Sequence, residues 1–264
     1  MAKQVTLVSL YGKKTNPGLA RLIAQCQHAV IGALSTAFTP YNEDQVHATI
    51  VGLERGSSDG FKNHNFAEFR KRDQTMTFDG FLGYLRTCGH FPLQVQIGGF
   101  QDRTYPFTSR NARPYERSFS IQGDKAVVMG WPVRGDPRSL PEATPEGFIR
   151  ESRIYPMTLD VVRRAAQGFG ILHGYHRALT DVDNDLFFRI GLVDEKAAPL
   201  GSLPVLEQRM RHLLSQEKPL IVEITLDEVY VAAYDDTTLP RTSTHVWPVT
   251  DPNLDGQKMS ELYT

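Results

Sequence analysis

His47 and Thr49 stand two residues apart in the run Val46-His-Ala-Thr-Ile-Val-Gly-Leu53. The run is short, apolar and rich in β-branched residues, which reads as a strand. Successive strand side chains point to opposite faces, so the imidazole and the hydroxyl share one face roughly 6.5–7 Å apart. Val46, Ala48 and Ile50 then turn towards a core. An imidazole moves protons near neutral pH and a hydroxyl donates to a phosphate oxygen, so the pair suits phosphoester chemistry or anion binding. The same octet also fits a half-buried strand with a satisfied histidine.

Other clusters also carry residue types that could do chemistry. In the loop 101–116, Arg103, Arg110 and Arg113 are interleaved with Tyr105, Phe107 and Tyr115. Arginines among aromatics can hold phosphate and stack a base, or the loop can simply be solvated. Asp181, Asp183 and Asp185 alternate along a turn, but the glycine and closing glutamate of an EF-hand are missing, so no metal is expected. His173 and His176 lie three apart without a Cys or Glu ligand pattern and read as helix-surface histidines. Cys26 and Cys88 are too few for zinc and read as free thiols. Gly168-Phe169-Gly170 inside a helical pattern marks close packing or a kink.

The elements that must position these residues follow from periodicity. Residues 5–10 read as the first strand. A helix follows over 18–34, with Asn16 as N-cap and Pro17 at its first position and Leu19, Leu22, Ile23, Cys26, Ala29, Val30 and Ala33 on one face. The strand of His47 comes next, then a short helical piece over 66–72, a helix from Thr77 to Cys88 and an alternating strand over 91–100. Residues 118–122 and 126–133 form a hairpin turned by Gly123-Asp124-Lys125. The Pro- and Gly-rich stretch 135–156 is the linker candidate. The second half repeats the order: helix 159–176, strand 186–193, helix 203–215, then strands 220–234 and 244–249. A polar tail, 251–264, is expected to be loosely held. The chain is therefore expected to be one bilobal α+β domain: two pseudo-symmetric β-α-β lobes, about 1–117 and 118–250, with mostly antiparallel sheets around a central groove.

The 264 residues are 41% hydrophobic and 22% charged, an ordinary globular balance. With 29 basic against 30 acidic residues, no field favours long duplex nucleic acid. The first apolar run is too short for a signal peptide and no window approaches a membrane span, so a cytoplasmic protein without a membrane partner is expected.

The tetrapeptide His47-Ala48-Thr49-Ile50, placed after a β-α pair in a duplicated pattern, resembles the His-x-Thr/Ser-x-hydrophobic strand of the two-histidine phosphoesterase superfamily. That superfamily includes 2′-5′ RNA ligase-like proteins and cyclic phosphodiesterases. The resemblance implies two histidines facing each other across a groove, one as base and one as acid, hydroxyls holding the phosphate, and no metal or other cofactor. It makes His47 an acid/base group and Thr49 a phosphate donor, with a small nucleotide or short RNA end as partner. The second strand, Asp185-Leu-Phe-Phe-Arg-Ile-Gly-Leu-Val193, departs from the pattern. Aligning its hydrophobic-Gly end puts Phe187 at the second histidine's place and Arg189 at the hydroxyl's; a one-residue slip puts Leu186 and Phe188 there instead. Phe187 could stack a base and Arg189 could supply charge. His245, His173 and His176 are the other histidines that could replace the lost one. The chain is then either a metal-independent phosphodiesterase or a catalytically impaired module that binds a nucleotide or a regulatory protein partner.

Overall fold

A computed structural model of the chain describes residues 3–56, 60–133 and 155–264. All but the last two residues of the expected linker lie outside the described residues. The elements in order are β1 (Gln4–Ser9), α1 (Pro17–Leu34), β2 (Phe38–Pro40), β3 (Ala48–Gly52), α2 (His64–Arg70), α3 (Phe78–Thr87), β4 (Leu93–Ile97), α4 (Pro114–Arg117), β5 (Phe119–Gln122) and β6 (Lys125–Pro132). They continue with α5 (Thr158–Gln167), β7 (Leu186–Val193), α6 (Ser202–Gln216), β8 (Leu220–Ile224), β9 (Val229–Tyr234), β10 (His245–Pro248) and α7 (Gly256–Glu261). The fold is α+β, and the ten strands among the described residues form one antiparallel sheet in the order β10-β9-β1-β3-β7-β6-β4-β8, with β2 beside β7 and β5 beside β6. Along this path four strands lie on each side of the β3–β7 junction, counting β3 and β7, and β2 and β5 add to the β7 side. Each side draws on both halves of the chain, because β9 pairs with β1 and carries β10 on its outer edge, while β4 lies between β6 and β8.

Local rules account for most elements. The Asn16 side chain accepts the Gly18 and Leu19 N–H groups, and Pro17 occupies the first turn, where no N–H is needed. The apolar stripe of α1 then buries Leu19, Leu22, Ile23, Cys26, Val30 and Leu34 against the sheet. That core also takes Leu186, Phe188 and Ile190 of β7 and Leu206, Met210 and Leu214 of α6. On the opposite sheet face two smaller apolar clusters form, one around Val8, Tyr11, Ala232 and Tyr234, the other around Val127, Met129, Trp131 and Phe187.

Three expectations need correction, and one strand goes beyond them. The helix expected to reach His176 stops at Gln167. Gly170 adopts φ +76°, and a Cβ there would lie 2.1 Å from the Thr75 carbonyl oxygen, so the chain must leave the helix. The strand expected over 220–234 breaks at residues 226–228, where Thr225 and Glu228 form a capping box around a 3₁₀ turn. The short strand β2 was not anticipated. The tail is packed rather than loose: Asp255 caps α7, Leu254, Met259 and Tyr263 are buried, and the Tyr263 hydroxyl donates to Leu53 O at 2.6 Å. Among the described residues, no helix is long and apolar enough to cross a membrane.

β3 and β7 meet at a single registered pair, Ala48 opposite Phe188, with one further bond from Arg189 N–H to His47 O at 3.4 Å. Beyond Ile190, β2 takes over as the neighbour of β7. On the other side the two strands splay, and the fully buried Arg163 of α5 fills the gap. Its guanidinium donates to Ile50 O (2.7 Å) and Thr49 O (3.0 Å) on one strand, and to Asp183 O, Asp185 O and the Asp183 carboxylate (3.0 Å each) ahead of the other.

Candidate functional site

The single β3–β7 pair sets which side chains share a face. With Ala48 opposite Phe188, His47 lies across from Arg189 and Thr49 across from Phe187. Leu186, Phe188 and Ile190 enter the main core, so Phe187 and Arg189 point to the face of His47 and Thr49, and the slipped alternative is not the one adopted. Along the same rows Val8 of β1 neighbours Thr49, while Met129 and Val127 of β6 neighbour Phe187 and Arg189. The polar strip thus lies between the two smaller apolar clusters.

His47 is 2% exposed. Its Nδ1 lies 2.9 Å from Gln45 O. A carbonyl only accepts, so Nδ1 carries the hydrogen and Nε2 keeps its lone pair. Burial lowers the imidazole pKa to about 4, helped by the cations of Arg189 and Lys14 and opposed by the Gln45 carbonyl. At neutral pH this is an uncharged base. Lys14 is buried, its ammonium donating to Leu10 O (2.5 Å), Gly12 O (2.8 Å) and Val46 O (3.0 Å). Burial lowers its pKa to about 8, against the pull of Glu43 and Asp44. Lys14 thereby ties the loop after β1 to the strand that carries His47.

The connection from β9 to β10, residues 235–244, closes over this strip through three hydrogen bonds. The Tyr11 hydroxyl donates to Leu239 O (3.0 Å), Gln45 Nε2 to Thr238 O (2.8 Å) and Arg189 Nη1 to Thr237 O (3.0 Å). Tyr11 also stands edge-on to His47, with ring centroids 6.2 Å apart, and Arg241 lies over its ring at 4.7 Å. Beside the strip the Tyr234 hydroxyl donates to Glu54 at 3.1 Å, and burial holds the Glu54 carboxyl above its ordinary value. Chemically the strip offers one neutral imidazole, one hydroxyl and one guanidinium. Phe187 stands 7% exposed in the aromatic cluster, edge-on to Tyr175 at 5.8 Å, and transfers no proton.

The other candidates go elsewhere. His245 is exposed and shares a face with Trp247, which packs against the main core, so it looks away from His47. His173 and His176 are buried, not on a helix surface, because each has a buried carboxylate: His173 Nε2 lies 2.8 Å from Asp183 and His176 Nε2 lies 2.8 Å from Asp160. Burial, reinforced by Arg163, lowers the His173 pKa to about 3. Asp183 and Asp185 are likewise buried parts of this network, and among the described residues no three His, Cys, Asp or Glu side chains form a metal-holding group. Arg103 and Arg113 of the 101–116 loop are taken up locally, by the Tyr105 ring and by Asp102 and Glu116.

Sequence reading does not single out Arg163 or Lys14. Arg163 did leave a trace, since it occupies a core-facing position of α5 beside Leu159, Val162 and Ala166. The cover over His47 left none, because its bonds are made by backbone carbonyls. In comparisons with family models, with curated proteins and with solved structures, nothing matches this chain.

Proposed function

We propose that this protein is a phosphodiesterase-like protein of the two-histidine type that binds a cyclic or 2′-5′-linked nucleotide phosphodiester, with its acid/base pair reduced to one histidine. The observation that carries the reading is the shared face of His47, Thr49 and Arg189 across the β3–β7 junction. On this reading the four strands on either side of the junction are the two pseudo-symmetric lobes, and the strip is their groove. The phosphate lies against the Thr49 hydroxyl and the Arg189 guanidinium, which suit an anion by hydrogen bonding and charge. His47 Nε2 takes the proton of an attacking water or hydroxyl. The leaving oxygen finds no acid at position 187, so water must protonate it and turnover is slow or absent. A ligand of this size, a small nucleotide or the end of a short RNA, reaches the strip only when the 235–244 connection releases its three bonds.

The test is calorimetric titration with 2′,3′-cyclic nucleotides and 2′-5′-linked dinucleotides, with turnover followed in parallel. Binding should weaken at least tenfold in Arg189→Ala, a loss of about 1.4 kcal/mol. Any hydrolysis should vanish in His47→Ala. Hydrolysis that persists unchanged in that variant removes His47 from the chemistry, and unchanged affinity in Arg189→Ala removes the phosphate from the strip.

A further inference from the structure

We propose that the cavity beside the 109–112 turn is a second binding site, for a ligand of the mononucleotide class that joins a flat heterocycle to a phosphate. The cavity is a cleft open to solvent with a volume of about 870 Å³, and its walls include Phe107, Ser109, Arg110, Tyr175, Asp181 and Asp185. That volume lies within the range of sites that take small organic ligands. None of His47, Thr49, Phe187 and Arg189 lines it. The two regions meet in one aromatic cluster, where the Tyr175 ring stands against Phe187, but they share no lining residue, so this inference does not rest on the reading of the His47 strip.

Arg110 is the centre of the site. Its guanidinium carbon lies 3.6 Å from the centroid of the Tyr175 ring, a flat cation laid on a flat aromatic surface. Contacts to Asp183 at 3.4 Å and Asp185 at 3.9 Å hold it from one side, and the side chain keeps 31% of its surface exposed. A guanidinium fixed in this way reads a planar or tetrahedral oxyanion with little further loss of freedom. The Asp185 carboxylate beneath it is fixed in place: Oδ2 accepts from the Ser109 hydroxyl at 2.6 Å and Oδ1 from Trp131 Nε1 at 2.7 Å. Its charge faces two guanidiniums, Arg110 at 3.9 Å and Arg117 at 3.7 Å, so the carboxylate anchors the arginine while Arg117 helps to offset its charge towards an incoming anion.

The backbone gives an independent sign. Ser109 and Ala112 exchange two hydrogen bonds of 2.9 Å, and the two residues between them, Arg110 and Asn111, have φ of +48° and +64°. This is the pattern of a primed hairpin turn, where glycine or asparagine is favoured in the first position. An arginine held in the left-handed region is strained, and such strain is concentrated at ligand sites. The aromatic walls select the rest of the ligand. Phe107 and Tyr175 are half-buried and each already carries one planar partner, Tyr155 at 3.9 Å on Phe107 and Arg110 on Tyr175, so a base extends one of these stacks and does so without regard to its sequence identity. Thr180, Asp181 and Asn111 line the polar side, where ribose hydroxyls and exocyclic amino groups are accommodated.

The experiment is calorimetric titration of the full chain with adenosine and cytidine 5′-monophosphates, adenosine, inorganic phosphate and a short single-stranded RNA bearing a terminal phosphate. Monophosphates should bind one per chain, with adenosine and phosphate each at least tenfold weaker. Arg110→Gly, which the backbone at φ +48° accepts without strain, should lose at least tenfold in affinity with its melting profile retained. Arg110→Lys, which keeps the charge without the flat stacking group, should fall between and serves if the glycine variant does not fold. RNA binding as tight as that of the monophosphates and lost in Arg110→Gly identifies an RNA terminus as the source of the ligand; Arg110-dependent binding of monophosphates alone identifies free nucleotides. The proposal is overturned if no monophosphate binds, or if Arg110→Gly and Arg110→Lys leave monophosphate affinity unchanged, which would place any binding in the His47 strip instead.

Discussion

Replacing Arg163 by methionine should come close to unfolding the protein. The guanidinium is fully buried and serves four backbone carbonyls, those of Thr49, Ile50, Asp183 and Asp185, together with the Asp183 carboxylate. Methionine fills much the same volume but offers no donor. Removing one partner of a buried ion pair costs about 3–5 kcal/mol, because the remaining charge stays buried. The abandoned carbonyls add to that loss, and the gain from burying the thioether offsets a part. A net destabilisation of about 4–6 kcal/mol follows, against a total of roughly 5–15 kcal/mol for an ordinary domain. Arg163→Lys keeps the charge but cannot span both strands, so it should lose about half as much. Urea unfolding followed through tryptophan fluorescence reads these values directly, since Trp131 is fully buried beside Asp185. A combined Arg163→Met, Asp183→Asn variant should be less destabilised than the sum of its parts, since the carboxylate no longer needs its partner. A loss under about 1 kcal/mol in Arg163→Met would mean that β3 and β7 hold their spacing without this side chain, and the account of the junction would fail.

Acid should weaken the fold well above the carboxylate range. His47 and His173 are held near pKa 4 and 3 by burial, below the ordinary value near 6.5, so between these limits the unfolded chain binds more protons than the folded one. Their stabilising contribution is complete above about pH 6.5 and is lost as the pH falls, by about 1.4 kcal/mol per unit for each histidine. His47→Gln should show a correspondingly shallower decline between about pH 6 and 4.5 in denaturation curves, and equal slopes would contradict the burial of the imidazole. At the C-terminal end, Tyr263→Ala should lower stability by about 3–5 kcal/mol and the melting temperature by at least ~6 °C. Tyr263 stacks on Phe78 at 5.9 Å and bonds to Leu53 O, so an unchanged melting profile would show that the tail does not pack.

What the sequence reveals about this molecule divides by distance along the chain. The Asn16-Pro17 cap and the β5–β6 hairpin are legible because their causes lie within a few residues. The position of His47 and Thr49 on one strand face is legible for the same reason. The break between β8 and β9 is local as well, and Thr225 with Glu228 three residues later is the mark of a capping box; strand-like residues on both sides mask it. His173 and His176 are misread from sequence because their buried carboxylates lie 10 and 16 residues away, a pairing that no periodicity encodes. Composition reads the tail as polar, yet Met259, Leu262 and Tyr263 fall on one side of a helical turn and are buried. Arg189 is recognised as a charged residue at the site, but its partner, the carbonyl of Thr237, is defined only by the fold.

The strand order carries a consequence for synthesis. β1 is made well before one of its two neighbours, β9, which follows it by more than 200 residues. β4 likewise waits for β8 on one side and β6 on the other. β1 and β4 therefore each keep one side unpaired until β9 and β8 have been made, and sheets built from such distant pairings close slowly. During that interval β1 and β4 present apolar, hydrogen-bond-hungry borders of the kind that chaperones cover and that other chains can capture.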